Sequence, residues 1–549
     1  MRESIRKQIN KAVEKLYPDI EVDFSVDWAP ESTGADLATN VAMVLAKKLG
    51  KKPMDIAEEI KGYLSPANYG GSLPSQGESY KVEAILPGFI NFTLPRETWT
   101  GALQEILQQE GKYGTSKIGK GKKARIEYVS ANPTGPIHIG NARGGPYGEM
   151  ICKVLEATGW KVLREYLHND VGGQVEKLGK TIWYWYQKIN GVDSQFPEDG
   201  YKGEYPEEIA KTALQKLGKD LGENNISELT AFAMDYIFEE NLKTMKELGI
   251  EFDVVIKESE LQSSGKVTKA VDELKKKGLA KENEGALWFA PNDEFLQDHD
   301  AVIIKSDGKP TYFASDIAYH KEKFTSGYDL VMDVLGSNHH GHVPKLQALC
   351  KVFKFAPENF HILLYQYVRV KKGNEVVKMA KRAGTFVTAK EVLELVGKDS
   401  MIFFLLSTAV NTHMDFDLEL ARDTSERNPV YKIQYAHARI NSILKKSEIR
   451  STKSETKLKI INSKEELELI RELGKFPELV EEISKTYNVH RLPHYLLGLA
   501  ERFHGFYERV KVITEDNDLT SARLSLVKGV MIVLSNGLKL MGITPAEKM

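Results

Sequence analysis

The segment Pro136-Ile137-His138-Ile139-Gly140-Asn141 follows a short strand pattern, KARIEYVS, and opens a helix pattern through YGEMICKVLEATGW. At such a junction, backbone N–H groups and the helix dipole favour an anion. His138 and Asn141 are three apart, so both can project from the first turn toward a phosphate chain. Gly140 lets a nucleotide approach the backbone. Lys378-Met379-Ala380-Lys381-Arg382 lies far downstream, after the hairpin pattern YVRVKKGNEVV. Its three cations in five residues could clamp a polyphosphate and stabilise charge on leaving pyrophosphate. Each segment also has a plainer reading: a histidine at a helix start is often a cap, and a short basic run is often a solvated surface. Gly336-Ser337-Asn338-His339-His340-Gly341-His342 sets three imidazoles in four positions, but no carboxylate or cysteine at ligand spacing accompanies them. A tightly bound protein metal is therefore not expected.

These segments need a frame. Strand, glycine-bearing turn, helix and second strand (KVLREYL) make the βαβ unit of a parallel sheet, so a Rossmann-like domain is expected over 122–390. DLVMDVL running into GSNHHGH reads as a second βα unit of the same sheet. AVIIKSDGKPTYFASD reads as a hairpin turning at SDGK. Residues 177–300 read as a mostly helical, charged insertion. Before the sheet, residues 1–115 carry helix patterns and the strand pair YKVEAIL and FINFTL, a small α/β unit. From about 390 onward only helices are expected: a connecting segment over 391–428, opened by a capping box of Thr388 and Glu391, then a bundle over 429–549. The fold class is thus multidomain α/β, with a parallel-sheet core and a helical C-terminal bundle.

The chain has 549 residues, 42% hydrophobic and 28% charged, which excludes a disordered or fibrous class. The net charge of −2 means that any nucleic-acid affinity must come from local patches. The first twenty residues alternate charged and apolar types, without the apolar run of a signal peptide. The longest apolar stretch, near MIFFLLSTAV, is half the length needed to span a bilayer, so a cytoplasmic protein with no membrane partner is expected. Cys152 and Cys350 have no neighbour at CxxC spacing.

In their order, PIHIGN and KMAKR resemble the HIGH and KMSKS motifs of class I aminoacyl-tRNA synthetases. EYVSANPTGPIHIGN and TYFASDIAYH resemble the arginyl-tRNA synthetase family in particular. Asn141 stands where the family usually has a second histidine, Ala380 where it has serine, and Asn338 where it has aspartate. The resemblance implies that His138 and Asn141, with Gly140, contact the phosphates of ATP supplied as its Mg2+ complex. It implies that Lys378 and Lys381 stabilise the transition state of adenylation, with Met379 beside them, and that Gly336, Asn338 and His339 face the adenosine. It assigns Glu127, Ser130, Asn132, Tyr312, Asp316 and His340 to the substrate arginine. Carboxylates in bidentate contact are the physical match to a guanidinium. Tyr166-Leu167-His168-Asn169-Asp170 resembles a site-lining stretch of the same family.

The C-terminal segments PVYKIQYAHARINSI and HRLPHYLLGLAERFHGFYERVKV resemble the family's anticodon-binding bundle, and GADLATNVAMVLAKKL resembles its additional N-terminal domain. Tyr431, Tyr435, Arg439 and Tyr507 are the candidate tRNA contacts, by stacking or charge. The partners implied are arginine tRNA, L-arginine and ATP, with a monomer expected. Two other readings stay open at this point: a small-molecule nucleotidyltransferase, which shares the HxGH turn, and an RNA-binding protein without catalysis.

Overall fold

The computed structural model describes residues 1–64, 80–291, 296, 301–373, 375–376, 387–448 and 458–549. The chain forms two compact units, each assembled from several segments. One comprises Met1–Gln109, Thr452–Gly474 and Arg509–Gly529; the other comprises Glu110–Ser451, Lys475–Glu508 and Val530–Met549. The residues expected as one bundle thus contribute to both.

The first unit holds a four-stranded antiparallel sheet in the order Val26–Trp28, Leu37–Thr39, Phe89–Thr93, Lys81–Ile85. The helices Arg2–Leu16, Val41–Leu49 and Pro53–Leu64 bury Ile5, Ile9, Leu45, Ile56 and Ile60 completely. Spacing of three and four turns these apolar residues to one helix face.

The second unit is built on five parallel strands: β1 (Lys123–Tyr128), β2 (Lys161–His168), β3 (Val254–Lys257), β4 (Leu330–Gly336) and β5 (Phe360–Tyr365). Their order is β5-β4-β1-β2-β3. β1 and β4 are almost continuously buried, as strands covered on both faces must be. Helix α1 (Gly144–Ala157) joins β1 to β2 and lies so close to the sheet that a Cβ on Gly148 would stand 2.3 Å from the Tyr128 ring. Only glycine permits that approach.

Three expectations are corrected here. The hairpin read over AVIIKSDGKPTYFASD has one strand arm, Ala301–Ile304, which pairs with Ala286–Phe289; the other arm is helix α2 (Tyr312–Thr325). Phe313, Ile317 and Phe324, buried against the core, show the helical period that wins there. The region read as a helical insertion also carries β3, which edges the central sheet. Beyond 390 the chain is not purely helical, since Met414–Asp417 pairs in parallel with Val368–Lys372. The capping box at Thr388 and Glu391 is present as expected. Helix α3 (Pro429–Glu448), helix α4 (Arg491–Arg509) and helix α5 (Asn517–Met541) follow. α5 is long and apolar enough to cross a membrane by composition, a stretch longer than MIFFLLSTAV, yet 61% of its most apolar window is buried inside the fold.

Candidate active site

Between β4 and β1 the strand order reverses, the chain running outward through β2 and β3 on one side and to β5 on the other. Open parallel sheets place ligands at the carboxyl ends of the strands flanking such a reversal. The PIHIGN turn follows β1 and the SNHHGH turn follows β4, so the topology alone brings both motifs to one crevice.

A cavity of about 250 Å³ opens at these strand ends. It is lined by Glu127, Glu258, Asp316 and Asp333, together with the imidazoles of His320, His339 and His342; among the described residues no lysine or arginine lines it. Such a wall attracts a cation. Ser130, Asn132, Tyr312 and Asp316, all expected as arginine contacts, line it with Glu127, as does Asn169 from the YLHND stretch. His340 does not: it is exposed at the turn, whereas His342, exposed as well, lines the cavity with its Nδ1 3.7 Å from Asp316 Oδ2. In the tight helical turn of 337–342, consecutive residues face different ways, and the motif reading could not tell which would turn inward.

Helix α2 supplies one wall. Tyr312, Ser315, Asp316, Tyr319, His320 and Lys323 recur at spacings of three and four, which puts them on one face. Of these only Tyr312 and Asp316 were singled out from sequence, although the helical period running on from them points to Ser315, Tyr319, His320 and Lys323. Glu258, also unforeseen, is the first residue after β3 and is 4% exposed. Burial in the cavity, reinforced by the charges of Asp316 and Asp170, raises its pKa to about 7. Gly172 touches the site from the other side: at φ +98°, a Cβ there would stand 1.8 Å from the Tyr312 hydroxyl.

Between β1 and the first motif, Val129 and Ser130 hold φ of +69° and +34°. A β-branched residue in that region stores on the order of 1–3 kcal/mol. The bend turns the Ser130 hydroxyl to accept from Leu167 N–H at 3.0 Å, and places Asn132 at the cavity.

His138 N-caps the turn Ile139–Ala142, its Nδ1 accepting from Asn141 N–H at 3.3 Å. A neutral ring with Nδ1 as acceptor carries its proton on Nε2. Gly140 sits under this imidazole, and a Cβ there would meet it at 2.9 Å. His339 lines the cavity, whereas Gly336 closes β4 and Asn338 is exposed beyond it. Lys378, Met379 and Lys381 lie outside the described residues. The chain beyond them is tied to the first motif, Ile139 N–H donating to Val387 O (3.1 Å) and Ala389 N–H to Ile137 O (2.7 Å). Arg143, fully buried, donates to the carbonyls of Gln366, Thr408, Ala409 and Thr412 at 2.8–3.1 Å.

The four candidate RNA contacts gather on α3 and α4. Tyr431 stacks on Tyr435 at 6.3 Å, and the Arg439 guanidinium lies 4.5 Å from the Tyr507 ring and 5.6 Å from that of Tyr435. All four are half-buried.

The parallel sheet with its reversal, the histidine cap at the end of β1 and the acidic cavity define a class I aminoacyl-tRNA synthetase catalytic domain, and the family model "tRNA synthetases class I (R), catalytic domain" matches residues 102–404. Residues 3–94 match "Arginyl tRNA synthetase N terminal domain" and 433–549 match "DALR anticodon binding domain". The chain is 38% identical to the arginine–tRNA ligase of Thermotoga maritima over 95% of each chain. It is 39% identical to that of Carboxydothermus hydrogenoformans, over 94% of this chain and 93% of the relative. It belongs to the arginyl-tRNA synthetase family. The structure of Thermus thermophilus arginyl-tRNA synthetase shares the fold, with a TM-score of 0.78 at 22% identity and all of both chains covered.

Proposed function

We infer that the protein activates arginine with ATP to arginyl-adenylate and transfers the arginyl group to the 3′ end of arginine tRNA. The observation that carries this is the cavity beside the first motif, whose wall presents four carboxylates and, among the described residues, no lysine or arginine. Asp316 and Glu258 take the guanidinium, with Tyr312 as the aromatic face; Glu127, Ser130 and Asn132 face the amino-acid backbone. His138, Gly140, Asn141, Gly336, Asn338 and His339 hold ATP, which enters as its magnesium complex, and Lys378, Met379 and Lys381 act on its phosphates. Tyr431, Tyr435, Arg439 and Tyr507 contact the tRNA. The domain boundaries proposed are 1–115, 122–390, 391–428 and 429–549. The reading includes a monomer working in the cytoplasm. Incubating the protein with labelled arginine, ATP, magnesium and total tRNA should yield arginyl-tRNA; formation of none would refute the reading.

Two expected results follow from the chemistry. Lys381→Ala should lower the rate of activation at least about tenfold, the scale of one lost contact to developing phosphate charge, with arginine affinity little changed. An intact rate would mean that this run is a solvated surface. The second result concerns pH. Glu258 must be ionised to pair with a guanidinium and titrates near 7 in the free protein, so arginine kcat/KM should fall roughly tenfold as pH drops from about 8 to about 6. Glu258→Gln should lose this limb, and a profile of the same shape in that variant would assign the titration to another group.

A further inference from the structure

Beneath the cavity lies a cluster of six ionisable side chains, none more than 4% exposed: Arg125 and Glu127 on β1, Glu165 on β2, His320 and Lys323 on α2, and Asp333 on β4. Lys323 Nζ donates to Glu127 Oε2 at 2.5 Å and to Asp333 Oδ1 at 2.6 Å, and lies 3.8 Å from Glu165 Oε1. Arg125 Nε donates to Glu165 Oε2 at 2.8 Å. Tyr319, fully buried among them, places its hydroxyl 3.0 Å from Glu127 Oε2 and closer still to Glu165. His320 has acceptors at both nitrogens, the Asp316 carbonyl 2.8 Å from Nδ1 and Asp333 Oδ2 3.0 Å from Nε2. Neither acceptor has a proton to give while Asp333 is ionised, so both ring nitrogens must donate and the ring is an imidazolium. The cluster then holds three anions and three cations.

This neutrality is not needed for packing, because buried ion clusters are replaceable by apolar side chains at little cost in stability. It matters to what sits above. Four of the cluster's neighbours or members, Glu127, Tyr319, His320 and Asp333, line the cavity. A reacting amino acid brings its own α-carboxylate there, beside a polyphosphate. A floor with unbalanced negative charge would repel both, while still welcoming the guanidinium at Asp316 and Glu258.

We propose that Lys323 and Asp333 are opposed positioning residues whose charge balance makes the cavity floor tolerate the substrate's α-carboxylate, so that together they set the preference for an amino acid over the same cation without a carboxylate. The proposal rests on the reading that this cavity holds arginine; a wild-type protein that did not use arginine would end that reading before any variant is made. Agmatine is the probe, since it keeps the guanidinium and the amine and lacks the carboxylate.

The quantity to measure is arginine KM divided by the inhibition constant of agmatine. Lys323→Met keeps the chain length and leaves the floor one charge too negative; it should raise this ratio at least about fivefold. Asp333→Asn leaves the floor one charge too positive and should lower it by a similar factor. A merely structural role weakens both ligands together and moves neither ratio, which would overturn the proposal; so would a shift in the same direction in both variants. A pH series adds a second readout. Asp333, which also faces His320 at 3.0 Å and shares the cluster with Tyr319, Glu127 and Glu165, loses its nearest cation, 2.6 Å away, in Lys323→Met. A buried carboxylate so deprived takes up a proton more readily, which restores neutrality. Arginine kcat/KM of Lys323→Met relative to wild type should therefore rise as pH falls from about 8 to about 6; a flat or falling ratio would count against the proposal. If Lys323→Met does not fold, Asp333→Asn decides alone, since an unchanged ratio there is already fatal.

Discussion

Asparagine in place of Asp316 should lower arginine kcat/KM by about 2–4 kcal/mol, roughly 30- to 1,000-fold, the range for breaking a desolvated charge-assisted pair. The substitution keeps the size of the side chain and one acceptor but deletes its charge. Asp316 stands on the cavity wall with Glu258, and its carboxylate lies 3.7 Å from His342 Nδ1, too far for a hydrogen bond, so a guanidinium can take up its charge. Lysine, a point charge on a longer stem, cannot repeat the two-pronged contact of a guanidinium and should remain a poor substrate throughout. ATP KM should change little. The comparison that decides is arginine kcat/KM for wild type, Asp316→Asn and Glu258→Gln: unchanged values in both variants would place the guanidinium elsewhere. Glu127→Gln is the less direct probe, because Glu127 Oε2 is already held by Lys323 and Tyr319.

His138→Ala should slow adenylate formation by about 10²- to 10³-fold, the loss seen when one donor to developing transition-state charge is removed. Two roles meet in this ring. Nδ1 caps the turn, and a neutral ring capping in this way carries its proton on Nε2, the donor the proposed role directs at a phosphate oxygen. His138→Asn separates them, since asparagine is among the best N-caps but cannot place a donor where Nε2 does. If adenylation is as slow in His138→Asn as in His138→Ala, while both melt as the wild type does, the donor is what counts. Recovery of most of the rate in His138→Asn would reduce His138 to a cap.

The crevice that holds the two turns is legible in the sequence. The turn after β1 and the turn after β4 are punctuated by glycine, proline and histidine at strand ends, and the parallel-sheet topology leaves them only one edge to share. Less visible were the residues that reach the cavity through long-range packing. Glu258 arrives because β3 pairs with β2, a contact across 89 residues for the bond from Ser259 N–H to Asp170, and nothing local in KESEL announces it. Lys323 reads as one more charge in HKEKF until α2 is wound, when its place four residues beyond Tyr319 and three beyond His320 turns it inward beneath the cavity. The failed hairpin at SDGKP shows the same limit from the other side. The turn chemistry was sound, and an isolated bridge from Ile304 to Pro310 survives of it, but the apolar period after Thr311 belongs to a helix.

The carbonyls of Thr544, Ala546 and Glu547 accept from Gln434, His437 and Asn441, three side chains spaced three and four apart along α3, at 2.7–3.0 Å. The segment after α5 is therefore fastened like a zip along the helix that carries Tyr431, Tyr435 and Arg439. Trimming it back to the end of α5 would strip acceptors from one side of that helix while leaving its aromatic face untouched in sequence. A fusion partner joined at residue 549 needs a spacer long enough not to pull the zip open, or changes in RNA binding will be charged to the wrong residues.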